Sequence, residues 1–204
     1  MGGVATEGRA WVTTDGDGDG RLTIGVAISV PDPFGDELTK WRADFGDPLA
    51  TSIPAHVTLL PPTEITPEEL PDVRRHLKEV AARERAFDIR LRGTGTFRPV
   101  SPVVFVQVAQ GLAECEQLER NVRSGVLERT LSFYYHPHVT VAHHVDDEAL
   151  DRAFSTLADY QVSFRVDSFG LYEHGQDGVW RPAEEFWFDG HDGHDGRRPG
   201  TAAT

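Results

Sequence analysis

The chain is short of the residues that mark several whole classes of protein. A single cysteine, Cys115, excludes a disulfide within the chain and suits a reducing compartment. Its place on an apolar helical stripe makes it a core residue rather than a reactive thiol. Lysine is almost missing: of 20 basic residues only Lys40 and Lys78 are lysine, and the acidic excess leaves a formal charge of −13. That balance excludes a firm grip on long duplex nucleic acid, which needs a basic footprint. No apolar run approaches the roughly 18 residues of a membrane span. The opening "MGGVATEGRAWVTTDGDGDG" lacks the basic start and apolar centre of a signal peptide. The expectation is a cytoplasmic monomer with no membrane partner.

What the chain does have is arginine, whose planar fork suits phosphate, and enough apolar content, 39% of 204 residues, for one substantial core. Residues 1–20 read as a flexible acidic leader. Asp15, Asp17, Asp19 and Gly20 match the first positions of a calcium loop, but the required glutamate at position twelve is Val26. Residues 191–204 carry almost no apolar side chain and read as a disordered tail, with His191 and His194 in it. Residues 21–190 are the expected domain.

Two halves of that domain repeat one order of elements. In the first, residues 21–30 read as a strand, 32–46 as a helix and 52–60 as a strand. A second helix has Thr66 as N-cap and Glu69 closing a capping box, and a strand begins at Phe87. In the second half, 102–109 is a strand and Leu112, Cys115, Leu118, Val122 and Val126 mark a helix. A histidine-rich strand, "YYHPHVTVAHHV" at 134–145, is followed by a helix opened by Asp146, a strand over 161–173 and a last strand near Trp180. The fold class is α+β: two pseudo-symmetric lobes, roughly 21–97 and 98–190, each with an antiparallel sheet and outer helices, and possible exchange of strands between them.

The middle strands of the two halves read "AHVTLL" and "PHVTVA". Alternation along a strand puts His56 with Thr58, and His138 with Thr140, on one face, while Val57, Leu59, Val139 and Val141 look into the core. One such motif is weak evidence; the same motif at matching places in both halves, 82 residues apart, is not. Cleaving a phosphodiester without metal needs a base on one side of phosphorus and an acid on the other. Imidazole can serve as either near neutral pH. The threonine hydroxyls can donate to the non-bridging oxygens.

These paired motifs, with "AHVTLLPP" and "YHPHVTVAHH" around them, resemble the two-histidine (2H) phosphoesterase superfamily, in particular its bacterial 2′-5′ RNA ligase branch, over about residues 21–189. The resemblance implies a cleft between two antiparallel sheets, no metal or other cofactor, and reaction at 2′,3′-cyclic phosphates or 2′-5′ linkages of a nucleotide or short RNA, with reversible ligation a further possibility. It implies His56 and His138 as the catalytic pair and Thr58 and Thr140 as phosphate ligands. It does not say which histidine is acid and which is base.

Softer expectations concern the substrate. Arg98, in the connection between the halves, is a candidate for a terminal phosphate or for a salt bridge between lobes. Phe97, Tyr134 and Tyr135 are candidate stacking surfaces, and His136 a rim residue. Two other classes compete: a nucleotide-binding module that uses the same cleft without turnover, and a metal-binding protein built on His136 and His138. The latter lacks an evident third ligand, since there is no H-E-x-x-H and no CxxC.

Overall fold

The computed structural model describes residues 20–131 and 133–189, so the expectations for the leader and for the tail fall outside the described residues. Among the described residues eight strands and four α-helices follow one another in the order β1 (Leu22–Ser29), α1 (Phe34–Asp44), β2 (His56–Ile65), α2 (Leu70–Ala81), β3 (Phe87–Thr96), β4 (Val104–Gln110), α3 (Leu112–Val122), β5 (His138–Ala142), α4 (Asp147–Thr156), β6 (Gln161–Val166), β7 (Ser168–His174) and β8 (Trp180–Trp187). They form two antiparallel four-stranded sheets, sheet A in the order β2-β1-β7-β8 and sheet B in the order β5-β4-β3-β6.

The sheets do not follow the division at residue 97. The third strand of the first half, β3, lies beside β4 in sheet B, and β7 of the second half lies beside β1 in sheet A. Helices cross over as well: α1 packs against β5, and α3 against β2. One continuous apolar core therefore draws on both sheets and all four helices. Fully buried side chains such as Leu59, Leu77, Leu91, Leu118 and Leu150 each contribute roughly 1.5–3 kcal/mol. No helix among the described residues is long and apolar enough to cross a membrane.

Local chemistry explains where the elements depart from expectation. Glu69 closes half of the expected capping box, accepting the Thr66 N–H at 2.7 Å, but the helix begins only at Leu70, with proline in its first turn. Helix α3 stops at Val122, because Ser124 is extended and Gly125 adopts a φ of +57°; Val126 is left exposed. The strand expected over 161–173 is two strands in different sheets. Its burial changes parity at Asp167, from Phe164 and Val166 to Phe169 and Leu171. Strand β2 continues through Pro61 and Pro62, which an edge strand tolerates. The histidine strand is only five residues long, so His136 precedes it and His144, at φ +56°, follows it.

Candidate active site

Strands β2 and β5, each the edge of its sheet, lie next to each other. On β2, His56 pairs with Ser29 and Thr58 with Ala27; on β5, His138 pairs with Gln107 and Thr140 with Phe105. Val57, Leu59, Val139 and Val141 are fully buried on the opposite face. The hydrophobic alternation thus turns one imidazole and one hydroxyl of each strand away from the core.

Both imidazoles are anchored in the same way. Nδ1 of His56 lies 2.7 Å from the carbonyl oxygen of Pro54, and Nδ1 of His138 lies 2.6 Å from that of His136. A carbonyl only accepts, so in each ring Nδ1 carries the proton and Nε2 holds the lone pair of the neutral form. Desolvation pushes His56 down to about 4, against its bond to Pro54, and the charges of Arg42 and His138 add to the shift. His138 is also pushed down to about 4, chiefly by desolvation and then by His136, against the bond to the His136 carbonyl. Both rings are neutral at pH 7.

Aromatic side chains supply much of the crowding around His138. Phe97 and Phe105 pack at 4.5 Å between ring centres, and each lies 5.0 Å from the His138 ring; His136 sits 5.7 and 5.3 Å from the same two rings. Gly95 makes this possible, since a Cβ there would come within 2.6 Å of the Phe105 ring.

Two side-chain contacts hold the motif strands together. From the segment entering β5, the Tyr135 hydroxyl donates to the Thr58 carbonyl at 2.9 Å. From the segment entering β2, Asp47 Oδ2 accepts the His143 N–H at 3.1 Å and the Nε–H of Arg42 at 2.7 Å, while Oδ1 accepts the Leu49 N–H at 2.8 Å. Each half thereby bonds backbone in, or directly after, the other half's motif strand. Sequence reasoning missed Arg42 and Asp47; an Asp before Pro in a turn carries no sign that its carboxylate will be fully buried.

The softer expectations divide. Phe97 and His136 stand beside His138, as described. Arg98 instead bonds Asp151 at 2.6 Å and lies 3.7 Å from Asp147, both at α4, so its guanidinium is committed to a salt bridge. Tyr135 is not an open stacking surface: its ring packs on the core and its hydroxyl is used at Thr58. Tyr134 is fully exposed. His143 is buried against His144 at 3.6 Å, and His76 bonds the Val122 carbonyl. Cys115 is buried in the core, its thiol pushed up to about 12 by desolvation. Among the described residues no three His, Cys, Asp or Glu side chains converge as a metal site would require.

Comparison with known proteins agrees with this geometry. Residues 30–178 match the family model of the 2′-5′ RNA ligase superfamily. A provisionally named phosphoesterase of Bacillus licheniformis is 32% identical over 167 residues, 81% of this chain and 98% of that protein. Crystal structures of E. coli LigT share the fold. The complex with NADP+ aligns with a TM-score of 0.63 at 21% identity over 82% of this chain and 98% of LigT. The complex with 3′-AMP aligns at 0.61 and 20% over 83% and 99%. With both motifs adjacent on a shared fold, this chain belongs to the 2′-5′ RNA ligase superfamily of two-histidine phosphoesterases.

Proposed function

We propose that the protein is a metal-independent phosphodiesterase that opens 2′,3′-cyclic phosphates or cleaves 2′-5′ linkages of nucleotides or short RNA, working as a cytoplasmic monomer. One observation carries the reading: two neighbouring strands present a histidine and a threonine each, with both imidazoles held in the same tautomer by a carbonyl two residues upstream. The NADP+ and 3′-AMP bound in the LigT crystals support a nucleotide ligand here.

For a cyclic phosphate, the neutral Nε2 of one histidine takes a proton from water as the water oxygen attacks phosphorus. The other histidine, as imidazolium, gives its Nε2 proton to the ribose oxygen as the P–O bond breaks. The product is a ribose phosphomonoester beside a free hydroxyl. Thr58 and Thr140 donate to the non-bridging oxygens as charge builds. Because both rings are neutral in the free protein, the acid takes up its proton from solvent as the substrate binds: a phosphodiester anion between the rings favours the imidazolium form.

The test is turnover in EDTA of a panel of 2′,3′-cyclic nucleotides, 2′-5′ dinucleotides and an RNA ending in a cyclic phosphate, with product regiochemistry read out. Cleavage insensitive to EDTA is expected. Binding without turnover of any substrate would leave only the nucleotide-binding module, and activity that returns only with added zinc would overturn the two-histidine chemistry.

A further inference from the structure

The face of sheet B that carries His138 and Thr140 continues well past the histidine pair. Cross-strand pairing takes it from His138 to Gln107 on β4, then to β3 and β6, where Arg92 pairs with Gln161, Arg90 with Ser163 and Asp88 with Arg165. Leu91, between these arginines, and Ile89, just before them, point the other way and are fully buried, so Arg90 and Arg92 share the open face. Three inter-strand steps of about 4.8 Å carry this face roughly 14 Å from β5 to β6.

Its charges are not balanced within the face. Most described arginines are matched to carboxylates, such as Arg42 to Asp47, Arg98 to Asp151 and Arg181 to Asp177. Arg90 and Arg92 pair with no carboxylate among the described residues, and the Arg90 Nε–H is buried with no acceptor. Arg83, Arg85 and Arg129 also bond no carboxylate among the described residues, and the Arg129 Nε–H too is buried without an acceptor, but Arg90 and Arg92 stand together on one strand face, in a chain of net charge −13. The remaining groups there, Gln107, Gln161 and Ser163, are neutral donors and acceptors. The acids nearby are Asp88, which lies 3.6 Å from Arg165, and Asp159, at the rim of a depression of about 590 Å³ that Arg92, Gln107 and Gln161 also line. The corresponding face of sheet A carries Glu185, bonded by Ser168 at 2.8 Å, where sheet B has arginine.

We propose that this face of sheet B binds the sugar–phosphate backbone of a single-stranded oligonucleotide whose reacting phosphate lies between His56 and His138. The proposal rests on the phosphodiesterase reading and adds that the substrate is a polymer end rather than a mononucleotide. Arg92 and Arg90 take successive phosphates, and Gln107, Gln161 and Ser163 bond sugar or phosphate oxygens. Phe97, backed by the buried Phe105, offers aromatic surface beside the reacting nucleotide. The footprint is a few nucleotides, compatible with an otherwise acidic protein that has no use for long duplexes.

The test compares kcat/KM for a single-stranded ten-nucleotide RNA ending in a 2′,3′-cyclic phosphate with kcat/KM for the matching cyclic mononucleotide, across ionic strengths. The intact protein should prefer the oligonucleotide, with a log–log salt slope steeper by about 0.7 for each phosphate engaged. In R90Q/R92Q that preference should fall by an order of magnitude or more and the extra salt slope should shrink. R120Q, on the outer side of α3, is the charge control and should retain both. Equal kcat/KM for oligonucleotide and mononucleotide in the intact protein, or a preference that survives R90Q/R92Q in a folded variant, would overturn the proposal while leaving the phosphodiesterase reading in place. Loss of turnover on every substrate by the intact protein would instead refute that reading.

Discussion

The hydroxyl of Tyr135 donates to the backbone carbonyl of Thr58 at 2.9 Å, so a residue three positions before one motif histidine holds the strand of the other. Tyr135→Phe removes that bond and little else. Stability should fall by about 1 kcal/mol. The rate should fall on the order of tenfold with KM little changed, because small misplacements of reacting groups are costly. Chemical denaturation beside steady-state kinetics on a cyclic nucleotide checks both, and an unchanged kcat would reduce the contact to a packing detail.

His56→Ala and His138→Ala should each lower kcat/KM by roughly 10²–10⁴-fold. The double variant should lose far less than the product of the two, since groups acting on one phosphate work as a unit. Thr58→Val and Thr140→Val should cost on the order of 10²-fold, and His136→Ala less than His138→Ala. Near-normal turnover in a well-folded variant lacking either motif histidine would sink the mechanism.

The Arg42–Asp47 pair is almost wholly buried. Asp47→Ala leaves the guanidinium without a counter-ion and the His143 N–H without its acceptor; a loss of about 3–5 kcal/mol is expected. Replacing both residues at once, Arg42→Met with Asp47→Leu, should recover a large part of it. Thermal melts of the single and double variants decide the matter, and equal losses in the two would mean that the charge pairing is not what the site requires.

Stability should decline as pH falls below neutrality. His56, His138 and His143 are each pushed down to about 4, largely by desolvation, whereas in the unfolded chain they titrate near 6.5. Between those values the unfolded state binds up to three more protons, so this contribution is full above pH 6.5 and is lost as pH falls toward 4. Calorimetry at pH 7 and pH 5, a span above most carboxylate titrations, should show a lower Tm at pH 5. A bound phosphate anion should flatten the difference by favouring the charged imidazoles.

Much of this was legible in the chain itself. The motif pair, its apolar alternation and the repeated order of elements specify where the imidazoles and hydroxyls point, because a two-residue period leaves a half-buried strand no other choice. What the pattern does not carry is pairing between distant segments. Nothing in "DSFGLYE" says that β7 joins β1 rather than β6, and only the change of buried parity at Asp167 hints that the chain turns. Arg98 and Tyr135 look like ligand groups because a sequence does not say which partner a polar side chain meets first; here α4 and the Thr58 carbonyl come before any substrate.

The reciprocal placement of β3 and β7 bears on how such a molecule can be made. The first half sends its last strand, β3, to sheet B and the second half sends its last two, β7 and β8, to sheet A, so a half-length chain would hold an unpaired sheet edge, one histidine and nowhere to dock the strands it sends across. It could complete itself only by trading strands with another copy, and such a swapped pair would own a single reaction centre on its two-fold axis. Covalent fusion of the two copies frees each half to diverge. Arg42 acts on the charge of one imidazole and His136 on that of the other, an inequality that two identical halves could not hold.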